Sequence, residues 1–385
     1  YYIYIKMSSA YCSVTGKEIN MKYGDFTPKV GPTEGQLIAT NKDFIATAWD
    51  SQWACICVLK KNDPHRVPPD CPLVHAHKEN ITDMRWSPYT KNLLASASED
   101  GTIKFWQIPD SGVEKRIDKE VGSFTEHNKK IVTFKFHPAS SELIGSTGFD
   151  KTVKVFNVNT FKSYNSTPIG DTFTSLDWNN DGSLIGGSCK DKNLYVIDPR
   201  AKQVSVKTKG TDSPKPQKFI FVSPDHFVSA SFGSGRQLKL FDLRKPEAPV
   251  NTIKIDDNGN VLLPFYDWDT NIIFLPSKGS GKVLFYTFTN GNISALSKEY
   301  SSPTDQKLFT LEEKKYVDYN SNEMTRMYKF WGNELLFTSF FIPRKSGGID
   351  QSLYPDTFAG VSALTGDEWS SGINKDPIKK NITEL

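Results

Sequence analysis

A segment near the start of this 385-residue chain recurs in weaker form further along, and this repetition constrains the fold more than any other feature. In residues 76–107, AHKENITDMRWSPYTKNLLASASEDGTIKFWQ, two short apolar runs flank the polar turn SASEDGT. Apolar runs joined by a polar turn are typical of a β-hairpin. A small antiparallel sheet of this kind leaves apolar faces uncovered, so several copies have to pack together to bury them.

The copies follow one another at a regular interval. When they are aligned on the last residue of the third strand, that residue occurs roughly every 40 to 50 positions, as expected for propeller blades. Two further stretches, FIATAWDSQWACICVLK from Phe44 and MYKFWGNELLFTSFFIPR from Met327, also have strand patterns. The sequence therefore predicts an all-β propeller of seven blades, and a ring of six blades with one appendage is the alternative. The five aligned positions are Gln107, Asn157, Asp198, Asp242 and Thr287.

The first unit resembles a WD40 repeat. In WD40 blades, a His before the first strand, a Ser or Thr on the second, an Asp in the next turn and a Trp on the third form a buried hydrogen-bonded set. The resemblance assigns these four positions, in order, to His77, Ser96, Asp100 and Trp106. Asp150 and Asp191 occupy the Asp position in the next two units, where Phe156 and Ile197 replace the Trp. We therefore expect the later blades to be held mainly by apolar packing.

The chain divides into three expected parts. Residues 8–343 are predicted to form the propeller, with an N-terminal strand that closes the last blade, and residues 344–385 a C-terminal extension. Residues 1–7 are interpreted as a cloning remnant or a disordered stretch before Met7, because YYIYIK is too short for a signal peptide or a transmembrane helix. The expected compartment is the cytoplasm, which suits five cysteines without a regular pairing pattern.

The sequence contains little that indicates chemistry. No Gly-rich phosphate loop, nucleophile elbow or HExxH motif is present, so we predict no catalytic residues and no cofactor. Three potential metal ligands lie close together, but no second cluster completes a zinc site, and we expect no metal. These three ligands are Cys71, His75 and His77. Two acidic pairs are interpreted as solvated turns rather than as acid/base couples, namely Asp256-Asp257 and Glu312-Glu313.

The charge of the chain is only slightly basic. A net charge of +3 lacks the strong positive field of a dedicated nucleic-acid binder, so no nucleic-acid partner is expected. Local basic clusters at loops could contact an acidic partner or acidic membrane lipids, or could be separate solvated side chains that keep a β surface soluble. The candidates for such a contact surface are Lys190, Lys192, Arg200 and Arg236.

Beyond the generic blade, the chain resembles the coronins, a family of actin-binding WD40 propellers. The similarity extends from about Tyr23 to Leu385 and rests on SASEDGTIKFWQIPD, WNNDGSLIGGSCKDKNLYVIDPR, LLPFYDWDTNIIF and the tail PRKSGGIDQSLYPDTFAGVSALTGDEWSSGINKDPI. Coronins have an extension with a YPDT-like motif, a Trp after acids and an Asp-Pro, which packs along one face of the propeller. The resemblance implies that Tyr354 and Trp369 anchor this extension.

The resemblance also implies binding to the side of actin filaments and regulation of their bundling or turnover in the actin cytoskeleton, without catalysis. In coronins, an Arg four residues after the Tyr that corresponds to Tyr23 is a main filament contact, but Thr27 stands there in this chain. We therefore expect Lys29, together with Lys22, to supply the cation. The alternative is a scaffold for other proteins, or a phosphoinositide-binding propeller, without actin contact.

Coronins usually continue into a linker and an oligomerising coiled coil, and this sequence has no sustained heptads. We expect a monomeric fragment of a protein that is oligomeric in full. Such a fragment should bind filaments more weakly than the assembled protein, because avidity is lost. Other actin regulators are further candidate partners.

Overall fold

The computed structural model describes residues 13–31, 34–51, 53–213, 215–232, 235–296, 298–343 and 353–385. Within these ranges the chain forms seven antiparallel sheets of at least four strands, arranged as the blades of a propeller, with almost no helix. The prediction of seven blades is confirmed. The expected remnant at residues 1–7 lies outside the described residues.

The strands of each blade follow one another in the sequence, except that β1 (Thr15–Tyr23) belongs to the last blade. Blade 1 consists of β2 (Ile38–Thr40), β3 (Phe44–Trp49), β4 (Ala54–Lys60) and β5 (Val74–His77). Blade 2 consists of β6 (Ile81–Trp86), β7 (Leu93–Ser98), β8 (Ile103–Gln107) and β9 (Gly122–Phe124). Blade 3 consists of β10 (Ile131–Phe136), β11 (Leu143–Gly148), β12 (Thr152–Asn157) and β13 (Lys162–Pro168).

The remaining blades continue this pattern. Blade 4 consists of β14 (Phe173–Trp178), β15 (Ile185–Cys189), β16 (Asn193–Asp198) and β17 (Gln203–Lys209). Blade 5 consists of β18 (Lys218–Ser223), β19 (His226–Ser231), β20 (Arg236–Asp242) and β21 (Asn251–Asp256). Blade 6 consists of β22 (Phe265–Asp267), β23 (Ile272–Pro276), β24 (Lys282–Thr289) and β25 (Asn292–Ala295), and β26 (Tyr300–Ser301) also pairs with β24. Blade 7 consists of β27 (Leu308–Leu311), β28 (Glu323–Trp331), β29 (Glu334–Phe341) and β1.

The first strands of the blades surround a central channel. Neighbouring first strands contact one another from β27 through β2, β6, β10, β14 and β18 to β22. We call the face at which these first strands begin the front face, and the face at which they end the back face. Because the strands are antiparallel, the turn between the second and third strands of every blade lies at the front face.

The ring is closed by pairing of the N-terminal strand with the last blade. Strand β1 runs antiparallel to β29, with Tyr23 opposite Leu335. The ring of Tyr23 is fully buried, whereas Lys17 and Glu18 on the same strand are exposed. This pairing removes the open edge that β29 would otherwise present.

The core lies between the sheets. Apolar strands such as β23, IIFLP, are buried along their whole length because a neighbouring blade covers each face of the sheet. Separate apolar clusters join blade 7 to blade 1 and blade 3 to blade 4. Within the described ranges, no helix is long and apolar enough to cross a bilayer.

The C-terminal residues lie on the back face. They form β30 (Thr357–Phe358), the short helix α1 (Gly366–Ser370) and β31 (Lys379–Lys380). Helix α1 begins at a capping box in which Thr365 and Glu368 satisfy each other's backbone N–H groups. The 3-10 turns are Lys314–Tyr316, Tyr319–Ser321 and Ile382–Glu384.

Candidate functional site

Residues 24–31 cross the front face between blades 7 and 1. The backbone N–H of Phe26 donates to Asn333 O at 3.0 Å, in the turn between β28 and β29. The Phe26 ring lies 4.9 Å from Trp49 and 4.8 Å from Phe330, measured between ring centroids. Phe26 is fully buried, so this segment is fixed to both blades while its neighbouring side chains stay at the surface.

All three predicted filament-contact residues lie at this face. Lys22 ends the exposed part of β1 and forms an ion pair of 2.5 Å with Glu334. The side chain of Thr27 is exposed. Lys29 is half-buried, and its Nζ donates to Asn80 Oδ1 at 2.5 Å. The two cations therefore flank Thr27, the position at which the coronin resemblance expects an Arg.

A series of contacts continues from Asn80 across blades 2, 3 and 4. Asn80 Nδ2 donates to Glu99 Oε2 at 2.9 Å, and Lys130 Nζ lies 3.0 Å from Glu99 Oε1. The hydrogen bond from Lys130 holds the pKa of Glu99 below its ordinary value. The ring of Phe149 carries two cations, with Lys130 Nζ at 4.8 Å and Lys190 Nζ at 4.1 Å from its centroid. We call Lys29, Lys130 and Lys190 the cation band.

Two other predicted basic residues do not join the cation band. Lys192 is exposed in a front-face turn, where its Nζ donates to Asp212 O at 3.0 Å. Arg200 lies at the back face, where it donates to Asn374 Oδ1 at 2.7 Å. The Arg200 guanidinium also lies 5.6 Å from the ring centroid of Trp369. Arg200 therefore contacts the C-terminal extension.

The prediction that Arg236 belongs to an exposed contact surface is wrong. Arg236 is only 1% exposed, forms an ion pair with the Asp256 carboxylate, and donates to Ser277 Oγ at 2.7 Å. The hydrogen bond from Arg236 holds the pKa of Asp256 below its ordinary value. Because Ser277 belongs to blade 6, the guanidinium ties blade 5 to its neighbour. Asp256 is exposed, as expected, but it ends strand β21 and pairs with this guanidinium.

The interpretation of Glu312 as a solvated turn residue is also wrong. Its side chain is buried and forms an ion pair with Lys61, and the Tyr328 hydroxyl donates to Glu312 Oε2 at 2.7 Å. The hydroxyl of Thr40 donates to Glu312 Oε1 at 3.3 Å. Burial raises the pKa of Glu312 and lowers that of Lys61. The pair joins blade 7 to blade 1, beside the closure by β1.

The four residues assigned by the WD40 resemblance meet inside blade 2. His77 Nδ1 lies 3.0 Å from Asp100 Oδ2, and His77 Nε2 lies 2.8 Å from Ser96 Oγ. The indole N–H of Trp106 donates to Ser96 Oγ at 3.0 Å. Although burial alone would raise the pKa of Asp100, its hydrogen bond with His77 holds that pKa well below the ordinary range. The set fixes the front-face turn that carries Glu99.

Blade 3 contains a second set that the sequence analysis missed. His127 Nδ1 lies 2.9 Å from Asp150 Oδ2, and His127 Nε2 lies 2.8 Å from Ser146 Oγ. His127 precedes Asp150 by 23 positions, the separation between the equivalent His and Asp of blade 2. That equal spacing in the sequence could have identified His127 as the partner of Asp150. Phe156 takes the place of the Trp, so this set has three members.

Asp191 of blade 4 has different partners. The Tyr195 hydroxyl donates to Asp191 Oδ2 at 2.6 Å, and Asn193 Nδ2 donates to the same oxygen at 2.9 Å. These hydrogen bonds outweigh the effect of burial and hold the pKa of Asp191 below its ordinary value. Asp150 and Asp191 stand next to Phe149 and Lys190 in the sequence, so the hydrogen bonds of these two carboxylates fix the turn that carries the ring and the turn that carries Lys190.

Tyr354 and Trp369 are both buried where the C-terminal extension packs on the back face. The Tyr354 hydroxyl donates to Glu323 O at 3.0 Å. The Trp369 side chain is fully buried, and its indole N–H donates to Gly182 O at 2.8 Å. Its ring centroid lies 6.0 Å from that of His137 and 6.1 Å from that of Trp178. The two aromatic residues thus attach the extension to blade 7 and to blades 3 and 4.

Among the described residues, no group of three or more His, Cys, Asp or Glu side chains is placed to hold a metal ion. His77 is bound by Asp100 and Ser96, while the thiol of Cys71 forms a hydrogen bond with Cys57. That hydrogen bond and burial raise the pKa of Cys57. The described cysteines are free thiols.

The chain is similar to WD40-repeat proteins and to coronins. Models of WD40 repeats match residues 70–107 and 118–157, described as WD domain, G-beta repeat, and residues 337–377, described as a type of WD40 repeat. Coronin-2A of Bos taurus is 30% identical over 91% of this chain and 69% of its own length. Coronin-2A of Homo sapiens is 30% identical over 90% of this chain and 68% of its own length.

A more distant relative and a solved structure agree with these matches. The coronin-like protein crn1 of Schizosaccharomyces pombe is 27% identical over 91% of this chain and 60% of its own length. The crystal structure of the WD40 domain of Toxoplasma gondii coronin superimposes with a TM-score of 0.91 at 27% identity, covering 96% of this chain and 97% of that one.

Proposed function

Because the chain belongs to the coronin family, we propose that its propeller binds the side of actin filaments and helps to organise, bundle or turn over those filaments in the cytoplasm, without catalysing a reaction. The observation that carries the proposal is the arrangement of Lys22 and Lys29 on either side of the exposed Thr27. The segment that bears them is fixed by the buried Phe26 ring. A surface that is already rigid loses little conformational entropy on binding.

The charges of the front face support an acidic partner such as the filament side. Lys130 and Lys190 extend the positive charge of Lys29 across three further blades. Cations at the margin of an interface mainly raise the association rate and make binding sensitive to salt. With Thr27 in place of an Arg, we expect this chain to bind filaments less tightly than a coronin that has the Arg.

Co-sedimentation with filamentous actin over a range of salt concentrations tests the proposal. Lys29→Glu should weaken binding about two- to fivefold at low salt and have little effect at high salt, where exposed charges are screened. Thr27→Arg should strengthen it by a similar factor. Lys162→Glu is the matched control, because Lys162 is exposed on β13, away from the front face.

The outcomes separate the proposal from its alternative. Equal binding by wild type and Lys29→Glu would reject the role of Lys29. No pelleting of the wild-type chain at low salt would refute direct filament binding by this propeller. In that case a scaffold that binds other proteins would be the better description.

A further inference from the structure

Two large aromatic side chains are exposed on the front face, one on each of the two blades that bind residues 24–31. Trp53 is 64% exposed in the turn between β3 and β4, and Trp331 is 42% exposed at the end of β28, next to the turn that leads to β29. All eight tryptophans lie in the described ranges, and of the other six, five are buried and Trp268 is half-buried. Exposed aromatic residues that cluster on one face mark sites of protein interaction.

Trp331 flanks the blade 7 turn to which the segment is bound. Trp331 pairs with Glu334 across that turn, and Asn333 O accepts the backbone N–H of Phe26 at 3.0 Å. Trp331 therefore stands at the strand end beside the turn to which the segment is bound. A side chain on a fixed turn can be buried by a partner at small entropic cost.

Trp53 lies in the front-face turn of blade 1, just before β4. The backbone N–H of Asp50 donates to Thr27 O at 3.0 Å, which ties this turn to the same segment. Trp53 O accepts the Ser51 hydroxyl at 2.6 Å and the backbone N–H of Cys55 at 2.8 Å. One exposed tryptophan thus stands on each of the two blades to which residues 24–31 are bound.

We propose that Trp53 and Trp331 are the apolar anchors of the front face and insert into the surface of the actin filament. This inference rests on the proposed function and adds to it the residues that supply most of the contact energy. Met21, near the front end of β1, and Val30 are also exposed. Tryptophans surrounded by polar side chains are typical of interface hot spots, where few residues dominate affinity.

The charges around the anchors favour a protein partner over a membrane. Lys22 pairs with Glu334 at 2.5 Å, and Arg66 lies 3.6 Å from the Asp25 carboxylate. Acidic lipids attract clusters of cations without interspersed acids. A rim of both signs instead matches a protein surface, on which each charge can meet its opposite.

Binding of three variants tests the anchors: Trp53→Ala, Trp331→Ala and the double variant. Each single change should weaken co-sedimentation with filamentous actin about tenfold or more, at low and at high salt, because apolar contact is not screened. The double variant should bind more weakly than either. Val121→Ala is the control, since Val121 is 56% exposed just before β9, the outermost strand of blade 2. Unchanged thermal unfolding of all variants shows that the propeller is intact.

A second measurement needs no substitution. Hydroxyl-radical footprinting of the wild-type chain should show that filaments protect Trp53 and Trp331 from oxidation. Two results would overturn the inference and leave the proposed function intact. In the first, wild type pellets and the tryptophan variants bind with equal affinity. In the second, wild type pellets but filaments do not protect Trp53 and Trp331 from oxidation. Failure of wild type to pellet would instead refute the proposed function, and the inference with it.

Vesicles of phosphatidylcholine and phosphatidylserine test whether the two tryptophans contact a membrane instead. We expect little binding of wild type to them. If the double variant lost vesicle binding that the wild type has, while filament binding was unchanged, the two tryptophans would be membrane contacts and the inference would be wrong.

Discussion

Replacing Trp369 with Ala should detach the C-terminal extension from the back face. The side chain is fully buried, and its indole N–H donates to Gly182 O at 2.8 Å. A buried Trp covers about 200 Å² and at about 25 cal/mol per Å² contributes ~5 kcal/mol, while measured Trp or Phe to Ala changes in cores cost about 3 to 5 kcal/mol. We therefore expect a loss of about 4 kcal/mol.

This loss has two measurable consequences. If extension and propeller unfold together, an unfolding entropy of ~2.1 cal/mol/K per residue over 385 residues converts 4 kcal/mol into a fall in Tm of about 5 °C. If the extension opens first, its detached state should become about 1000-fold more populated, and trypsin should cleave at Lys375 and Lys379 correspondingly faster. Differential scanning calorimetry and timed proteolysis measure the two effects.

A matched control lies in the same extension. Ile373 is exposed, so Ile373→Ala removes an apolar side chain without removing a buried anchor, and its Tm and cleavage rate should equal those of wild type. If Trp369→Ala behaved like Ile373→Ala, the extension would be held by its other contacts and the argument from burial would fail. Tyr354 would then be the next candidate anchor.

Substitutions at two further sites test buried ionisable groups. Burial lowers the pKa of His137 to about 3, whereas an unfolded His titrates near 6.5. The contribution of the neutral His137 to the free energy of unfolding is therefore fully present above pH 6.5. As the pH drops toward 3, the free energy of unfolding falls by up to about 1.4 kcal/mol per pH unit. Urea unfolding of His137→Phe should therefore show a smaller loss than wild type between about pH 6.5 and 4.5, and parallel pH profiles would contradict this. Lys61→Met leaves Glu312 buried without its cation and should cost about 3 to 5 kcal/mol, most of which Lys61→Met/Glu312→Leu should restore. Additive losses in the double variant would show that the pair is not coupled.

The propeller could be predicted because its signals are local. Strand patterns and polar turns occupy a few consecutive residues, and third strands end at Gln107 and Asn157 as the repeat spacing predicts. The polar set of blade 2 could be predicted for the same reason, since His77 and Asp100 belong to one repeat. His127 was within reach of the same argument, because it stands at the same distance from its Asp.

The buried ion pairs could not be predicted because their partners are far apart in the sequence. Lys61 and Glu312 are separated by 251 positions, and only closure of the ring brings them together. Arg236 and Asp256 lie closer, yet the sequence does not reveal that Arg236 is buried and bonded to Ser277 of blade 6. A charged residue in a polar stretch looks solvated until the neighbouring sheet is known. The exposure of the front-face tryptophans could not be predicted either, because an apolar residue in a strand-rich sequence is normally expected to be buried.

Pairing of β1 with β29 has a consequence for synthesis of the chain on the ribosome. Tyr23 and its partner Leu335 are 312 positions apart, so at about 5 to 20 residues per second the first strand emerges roughly 15 to 60 s before its partner exists. During that interval β1 is a nascent strand with unpaired backbone groups, open to pairing with other chains. Its exposed Lys17, Glu18 and Lys22 discourage such pairing, which makes the charges of this strand a safeguard during translation as well as part of the finished surface.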